Sequence, residues 1–200
     1  MLKKIKRCDW CEGDPLYIEY HDKLWGKPIY DPDQLFKMLI LEGAQAGLSW
    51  ITILKRWDGY EKAFRGFDAK KIAEFGEPEI LSLMNNPSII RNRLKIESVI
   101  KNARAYIEME KSGEDFSQFL WSFVGGKPKV NRPLNLKDIP AKTPESELMS
   151  KELKKRGFNF VGPTICYAFM QAVGMVDDHA GGCYLYKRDW RKIQLFGNSG

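Results

Sequence analysis

The chain has few cysteines and little histidine: four cysteines and two histidines among 200 residues. The cysteines are too few and too scattered for the disulfide framework of a small secreted domain. No apolar run approaches the ~20 residues that a membrane-spanning helix needs. The first ten residues are basic but lack the apolar core of a secretory signal. We therefore expect a cytoplasmic protein with no membrane association.

The charge balance is moderately basic, with 32 Lys and Arg against 26 Asp and Glu, a net charge of +6. This balance is compatible with a polyanionic partner, but many proteins without such a partner have a similar one. Two hundred residues suit one globular unit. We therefore treat residues 1–200 as a single unit and expect a monomer.

Helix signals recur along the chain, whereas strand-like alternation is almost absent. Asp31 and Pro32 predict the cap and first residue of one helix. Residues 93–113 have apolar or small side chains at three- and four-residue spacing, which is typical of another. The sequence predicts an all-α chain of about eight to ten short helices. The prolines and lysines of residues 125–143 predict a surface loop. Residues 189–200 are predicted to form a loosely held tail.

Both histidines lie near cysteines, at opposite ends of the chain. His21 follows Cys8 and Cys11, and His179 precedes Cys183 by four residues. Structural zinc favours four Cys and His ligands. The N-terminal pair is ambiguous, because Cys8 and Cys11 have CxxC spacing whereas Cys8 and His21 would supply one thiolate and one imidazole. Buried cysteines and hydrogen-bonded histidines are the ordinary alternative, but we favour a metal that ties the two ends together.

The stretch "RGFNFVGPT" joins two predicted helices. Thr143 caps the first, which ends at Gly157, and the second begins after Gly162. The unpaired N–H groups at the start of a helix can bind a phosphate, and the basic residues 154–156 would add electrostatic attraction. An ordinary helical hairpin explains the same residues equally well.

Glu42 lies in an apolar helical segment beside small residues and ahead of Trp50. With Trp10, Tyr17 and Tyr20 it could form an aromatic box for a flat, positively charged guest, because rings attract cations and the carboxylate supplies charge. From the residues alone, the favoured interpretation is the ordinary one, in which the aromatics form core and Glu42 faces solvent.

Taken together, these segments resemble the DNA-3-methyladenine glycosylase I family, constitutive bacterial enzymes of the helix-hairpin-helix superfamily. The resemblance runs from residue 8 to about residue 183. It is carried by "DPLYIEYHDKLWG", "LEGAQAGLSWITILKR", "RNRLKIESVIKNARAY", "FLWSFV", "LKKRGFNFVGPTICYAFMQAVGMVDDH" and the final Cys183.

The resemblance implies an all-α fold of two helical lobes, with a helix-hairpin-helix at about 144–174. It also implies a structural Zn2+ that ties residues 8–21 to residues 179–183. The implied zinc ligands are Cys8, His21, His179 and Cys183, which leaves Cys11 unused.

The activity that the resemblance implies is monofunctional excision of 3-methyladenine from alkylated double-stranded DNA, in base excision repair. The enzyme would flip the damaged nucleotide out of the helix, hydrolyse its N-glycosidic bond and release free 3-methyladenine. The implied base-recognition acid, which we assign as catalytic, is Glu42. The implied pocket residues are Trp10, Tyr17, Tyr20 and Trp50, and the DNA contacts are assigned to Phe160, Gly162 and Thr164.

One position departs from the family pattern, which tends to have asparagine where this chain has Asp177. We expect Asp177 to orient His179 rather than to activate water. Leu48 is the candidate for the side chain that fills the gap in the duplex. No nucleophilic lysine is evident, so we expect no lyase step. The rival functions are a zinc-containing binding module without catalysis and a zinc hydrolase, although no HExxH motif is present.

Overall fold

The structure is a computed structural model that describes residues 5–186. Within that range it contains ten α-helices and two short strands. The helices are α1 Pro15–Lys23, α2 Pro32–Gln45, α3 Trp50–Leu54, α4 Trp57–Ala63, α5 Ala69–Ala73, α6 Glu77–Met84, α7 Arg93–Lys111, α8 Phe116–Ser122, α9 Pro144–Lys155 and α10 Pro163–Ala172. Three 3-10 turns lie at Asp9–Cys11, Arg65–Phe67 and Leu136–Asp138. The sequence predicted an all-α chain; a mostly helical fold is confirmed, and the two short strands are the departure from that prediction. The predicted tail at 189–200 lies outside the described residues.

Short polar side chains cap the helices at the predicted places. Asp31 accepts a hydrogen bond from the backbone N–H of Gln34 at 2.8 Å at the start of α2. Thr143 and Ser146 form a reciprocal capping box at the start of α9. Each cap satisfies N–H groups that the first helical turn leaves unpaired.

The predicted loop at 125–143 is mostly exposed, but it also contains a strand that the sequence does not reveal. Strand β1, Lys129–Val130, pairs in parallel with β2, Val176–Asp177. Pairing between segments more than 40 residues apart leaves no local sequence signal, because two-residue strands are too short to show alternation. The pairing fixes the loop against the segment that contains Asp177 and His179.

Helix α10 is central to the core. Its residues Cys166, Phe169 and Met170 are completely buried, and α10 packs against both α2 and α9. Helix α7 packs against α5, α6 and α2. In the described part of the chain no helix is both long and apolar enough to cross a membrane.

Candidate active site and metal site

A cavity of about 230 Å³ lies among α1, α2, α3 and α10. It brings together Glu42 and all four aromatic residues that were assigned to a pocket. Its lining residues are Trp10, Tyr17, Tyr20, Trp25, Glu42, Gln45, Trp50, Ile139, Ala168 and Gln171.

Glu42 supplies the acid of the cavity. It lies near the end of α2 and is only 4% exposed, so the interpretation of a solvated glutamate is wrong. Burial raises the pKa of Glu42 to about 8, because the charged form loses its hydration. No described side chain forms an ion pair or a hydrogen bond with this carboxyl group. A buried carboxyl group without a partner is costly, and such groups concentrate at functional sites.

The aromatic side chains meet mainly edge to face around the carboxyl group. The ring centroid of Trp10 lies 5.6 Å from that of Tyr17 and 5.0 Å from that of Trp25. Tyr20 and Trp50 are tilted by 48° with centroids 5.4 Å apart. The hydroxyl group of Tyr17 accepts a hydrogen bond from the backbone N–H of Ile51 at 3.0 Å and so joins α1 to α3. This packing holds open a narrow, aromatic-walled site.

Five lining residues were not predicted as pocket residues from the sequence. Gln45 lies three residues after Glu42 in α2, so helical spacing could have placed it near an assigned residue. Trp25 lies beyond the end of α1, where helical spacing does not apply. Ala168 and Gln171 belong to α10, and no sequence motif marked either of them as a pocket residue. Ile139 comes from the loop at 125–143 and has no local signal.

Three of the four predicted metal ligands form one buried cluster. The ligand atoms of Cys8, His21 and Cys183 all lie within 4.8 Å of one another. Nε2 of His21 lies 3.4 Å from Sγ of Cys183, and a hydrogen bond from the Cys8 thiol lowers the pKa of Cys183. The fourth residue, His179, is not within that cluster, but its ring centroid lies 5.3 Å from that of His21.

Both histidines are oriented by carboxylates. Nδ1 of His21 lies 2.8 Å from Oδ1 of Asp22, and Nδ1 of His179 lies 2.7 Å from Oδ1 of Asp177. Nε2 of His179 is buried and has no hydrogen-bond partner in residues 5–186. A carboxylate on one ring nitrogen and a vacant second nitrogen is the usual arrangement of metal-binding histidines. The four side chains therefore fit a zinc ion in donor type and orientation.

Two neighbouring residues take other roles. The sulfur of Cys11 donates to the carbonyl of Cys8 at 3.1 Å, and burial raises the pKa of Cys11 to about 11, which favours the thiol. Asp177 is fully buried and does not line the cavity. Its second oxygen accepts a hydrogen bond from Arg132 at 2.8 Å. This geometry suits a carboxylate that orients His179.

The turn between α9 and α10 is anchored to two other helices. The side chain of Asn102 in α7 forms hydrogen bonds of 3.0 and 2.7 Å with the backbone carbonyl and N–H of Asn159. Phe160 adopts a positive φ of 54° and lies directly over Gly43 of α2. Gly43 directly follows Glu42 in the chain, so the contact between Phe160 and Gly43 joins the turn to the wall of the cavity.

The outer face of this turn carries the other residues assigned to DNA. Gly162 precedes α10 and is half-buried, and Thr164 is exposed. Arg156, one of the basic residues expected to add electrostatic attraction, is paired within the protein. Its guanidinium group forms hydrogen bonds of 2.9 and 2.8 Å with Glu114 and lies over the ring of Phe119. Lys154 and Lys155 remain exposed beside the turn.

The chain is similar to proteins of known activity along most of its length. It is 54% identical over 177 residues to the DNA-3-methyladenine glycosylase of Haemophilus influenzae, covering 88% of this chain and 96% of that protein. It is 52% identical over 182 residues to DNA-3-methyladenine glycosylase 1 of Escherichia coli, covering 91% and 97%. A solved Staphylococcus aureus 3-methyladenine DNA glycosylase I is 39% identical with a TM-score of 0.88, covering 92% and 97%. The methyladenine glycosylase family model matches residues 10–186, and the chain belongs to that family.

Proposed function

We propose that this protein is a monofunctional DNA glycosylase that excises 3-methyladenine from alkylated double-stranded DNA during base excision repair. The observation that carries this proposal is the buried Glu42 carboxyl group in an aromatic-walled cavity. A solved relative was crystallised in complex with 3-methyladenine, so the proposed guest has a precedent in the family.

The chemistry of the guest matches the cavity. Methylation at N3 gives the purine a positive charge while it is still attached to the sugar. Aromatic faces attract such a cation, and Glu42 can accept hydrogen bonds from the exocyclic amino group. Because an alkylated base is cationic and flat, the site would select it over the neutral bases of normal DNA.

The proposed reaction begins with rotation of the nucleotide out of the stack, at a cost of a few kcal/mol. When the bond between C1′ and N9 breaks, its electron pair remains on the base, which leaves as neutral 3-methyladenine. A water hydroxyl group joins C1′, and the released proton passes to solvent. Since the leaving group is already activated by its charge, the protein mainly has to bind, orient and hold the base.

We further propose that Cys8, His21, His179 and Cys183 bind a structural Zn2+. The support is the buried cluster of three ligand atoms together with the vacant Nε2 of His179. When bound, the metal would contribute folding free energy by joining the two ends of the described chain. Four protein ligands leave no position for a substrate, so the metal has no direct part in the proposed hydrolysis.

DNA binding is proposed for the turn between α9 and α10, within a helix-hairpin-helix that forms one of two lobes. A Cβ atom added to Gly162 would meet nothing within 4 Å, and the φ of this residue is −63°. The fold therefore does not require glycine at this position. Because glycine lacks a Cβ atom, it would allow the backbone of a nucleic acid to approach this turn closely.

The direct test is release of free base from methylated DNA by the purified protein. We expect 3-methyladenine in the supernatant with the wild-type protein, and at least a tenfold slower release with Glu42→Gln, which keeps the shape but loses the charge. A binding module without catalysis would retain methylated DNA but release nothing. A zinc hydrolase would lose all activity when zinc is removed from folded protein, whereas a glycosylase with structural zinc would keep it.

A further inference from the structure

Gln171 is the polar side chain that α10 contributes to the cavity wall. Its Nε2 donates a hydrogen bond to Oδ2 of Asp178 at 2.8 Å. Sequence periodicity gave Gln171 no role, and neither the metal cluster nor the turn between α9 and α10 involves it. A half-buried amide with one end fixed at the edge of a ligand cavity is a candidate for recognition.

Asp178 determines which way the Gln171 amide points. Asp178 is 2% exposed, and both of its oxygens accept hydrogen bonds: Oδ1 from Asn131 at 2.8 Å and Oδ2 from the Tyr167 hydroxyl group at 2.7 Å. Both oxygens of Asp178 therefore act as acceptors in these contacts. The amino end of Gln171 must therefore face Asp178, and the carbonyl oxygen Oε1 must face away from it. The described residues supply no donor to that Oε1.

The cavity is consequently rich in acceptors. Glu42 of α2 presents a carboxyl group, and Gln171 of α10 presents a carbonyl oxygen. The amino group at C6 of adenine has two N–H donors, whereas guanine has a carbonyl oxygen at C6. Two acceptors near this position would bind the adenine edge and leave the guanine oxygen facing another acceptor without a donor.

We propose that Gln171, oriented by Asp178, is a specificity-determining residue that accepts a hydrogen bond from the exocyclic amino group of the flipped base and disfavours 3-methylguanine. This inference rests on the proposed glycosylase function and adds the second contact that would distinguish two lesions of equal charge. Charge complementarity through Glu42 cannot make that distinction, because both methylated purines are cationic.

The test compares two substrates, duplexes that contain either 3-methyladenine or 3-methylguanine, with the wild-type protein and Gln171→Met. Methionine keeps the length of the side chain and its helix propensity but lacks the acceptor. We expect about tenfold slower excision of 3-methyladenine, in proportion to one lost hydrogen bond. Excision of 3-methylguanine should stay constant or increase, so that the ratio of the two rates falls at least tenfold. Gln34→Met, an exposed position of the same residue type in α2, is the matched control and should leave the ratio unchanged.

Thermal unfolding and binding of the two free bases, followed by tryptophan fluorescence, separate a folding defect from a loss of recognition. Gln171→Asn is a second variant, because its shorter amide cannot reach both Asp178 and the base. An unchanged rate ratio in a folded Gln171→Met would overturn the inference and leave the glycosylase function intact. Equal losses on both substrates would also overturn it. Absence of base release by the wild-type protein would instead reject the proposed function itself.

Discussion

At the scale of single residues, the charge state of Glu42 determines how the site can work. Burial raises the pKa of Glu42 to about 8, so the carboxyl group of the empty cavity holds a proton at neutral pH. A cationic base favours the ionised form and must displace that proton. Binding of the alkylated base is therefore linked to proton release.

This linkage predicts a pH dependence of catalysis. Below pH 8 the proton competes with the cationic base, so kcat/KM for excision should rise with pH, by up to tenfold per unit, and level off above about pH 8. Burial raises the pKa of Tyr20 well above its ordinary value, so Tyr20 does not titrate in this range. Rates of base release measured from pH 6 to 9 check the prediction. A residual rate of Glu42→Gln that shows the same slope would assign the titration to another group.

The free energy of unfolding should depend on the same carboxyl group in the opposite direction, because it should fall as the pH rises. The pKa of Glu42 is raised in the folded state above the value of about 4.5 of an exposed glutamate. Above pH 4.5 the unfolded chain loses a proton that the folded chain keeps, so this residue lowers the free energy of unfolding progressively up to pH 8. Glu42→Gln should therefore be more stable than wild type by a few kcal/mol at pH 8 and similar near pH 4.5. Urea unfolding at the two pH values measures the difference.

Only some of the residues of the cavity could be assigned from the sequence. Glu42 and the aromatic residues could be assigned through the family resemblance, whereas the local pattern alone favoured a solvated glutamate. Gln171 and Ile139 could not be assigned, because what makes them cavity residues is contact with segments distant in sequence. The ion pair between Arg156 and Glu114 is equally non-local, since the two residues lie 42 positions apart.

At the scale of elements, Lys95 of α7 fixes the end of α2. Its Nζ donates hydrogen bonds to the carbonyls of Ala44 and Ala46 at 2.8 and 2.6 Å, which the last turn of α2 leaves unpaired. Lys95→Met should lower the free energy of unfolding by about 1–3 kcal/mol and slow base release, because Glu42 and Gln45 lie on the same turn. Thermal unfolding and base-release rates measure the two effects. Lys151→Met in α9, an exposed lysine, is the control.

Two glycines have different predicted roles at the turn between α9 and α10: Gly162 belongs to the turn, and Gly43 of α2 packs against it. A Cβ atom at Gly162 meets open space, so Gly162→Ala should fold normally but weaken binding of DNA. A Cβ atom at Gly43 would lie 3.2 Å from both Cβ and the carbonyl oxygen of Phe160, so Gly43→Ala should destabilise the fold by about 1–3 kcal/mol. Thermal unfolding and DNA titration at fixed salt distinguish them. A stable Gly162→Ala that binds DNA as well as wild type does would contradict the assigned contact.

The positions of the helices could be predicted from the sequence, but the contacts between distant segments could not. Caps such as Asp31 and Thr143 are local, so the helices begin where the sequence predicts. The pairing of β1 with β2 and the anchoring of Asn159 by Asn102 connect segments more than 40 positions apart. These contacts arise from tertiary packing, which local sequence propensity does not reveal.

At the scale of the whole molecule, the proposed zinc ion joins the start of the described chain to its end. Cys183→Ser should lose the metal and lower the unfolding temperature, because binding free energy contributes to folding. Cys11→Ser should retain one zinc per chain, since the sulfur of Cys11 is outside the cluster. Metal analysis by mass spectrometry together with thermal unfolding measures both. Equal zinc loss in the two variants would instead support the CxxC pairing.

The central claim is that the cavity beside Glu42 holds the excised base, and a crystal structure with free 3-methyladenine tests it most directly. We predict the purine among Trp10, Tyr20 and Trp50, with its exocyclic amino group within about 3 Å of a Glu42 carboxyl oxygen. A base bound outside this cavity, or bound within it with Glu42 turned away, would contradict the account.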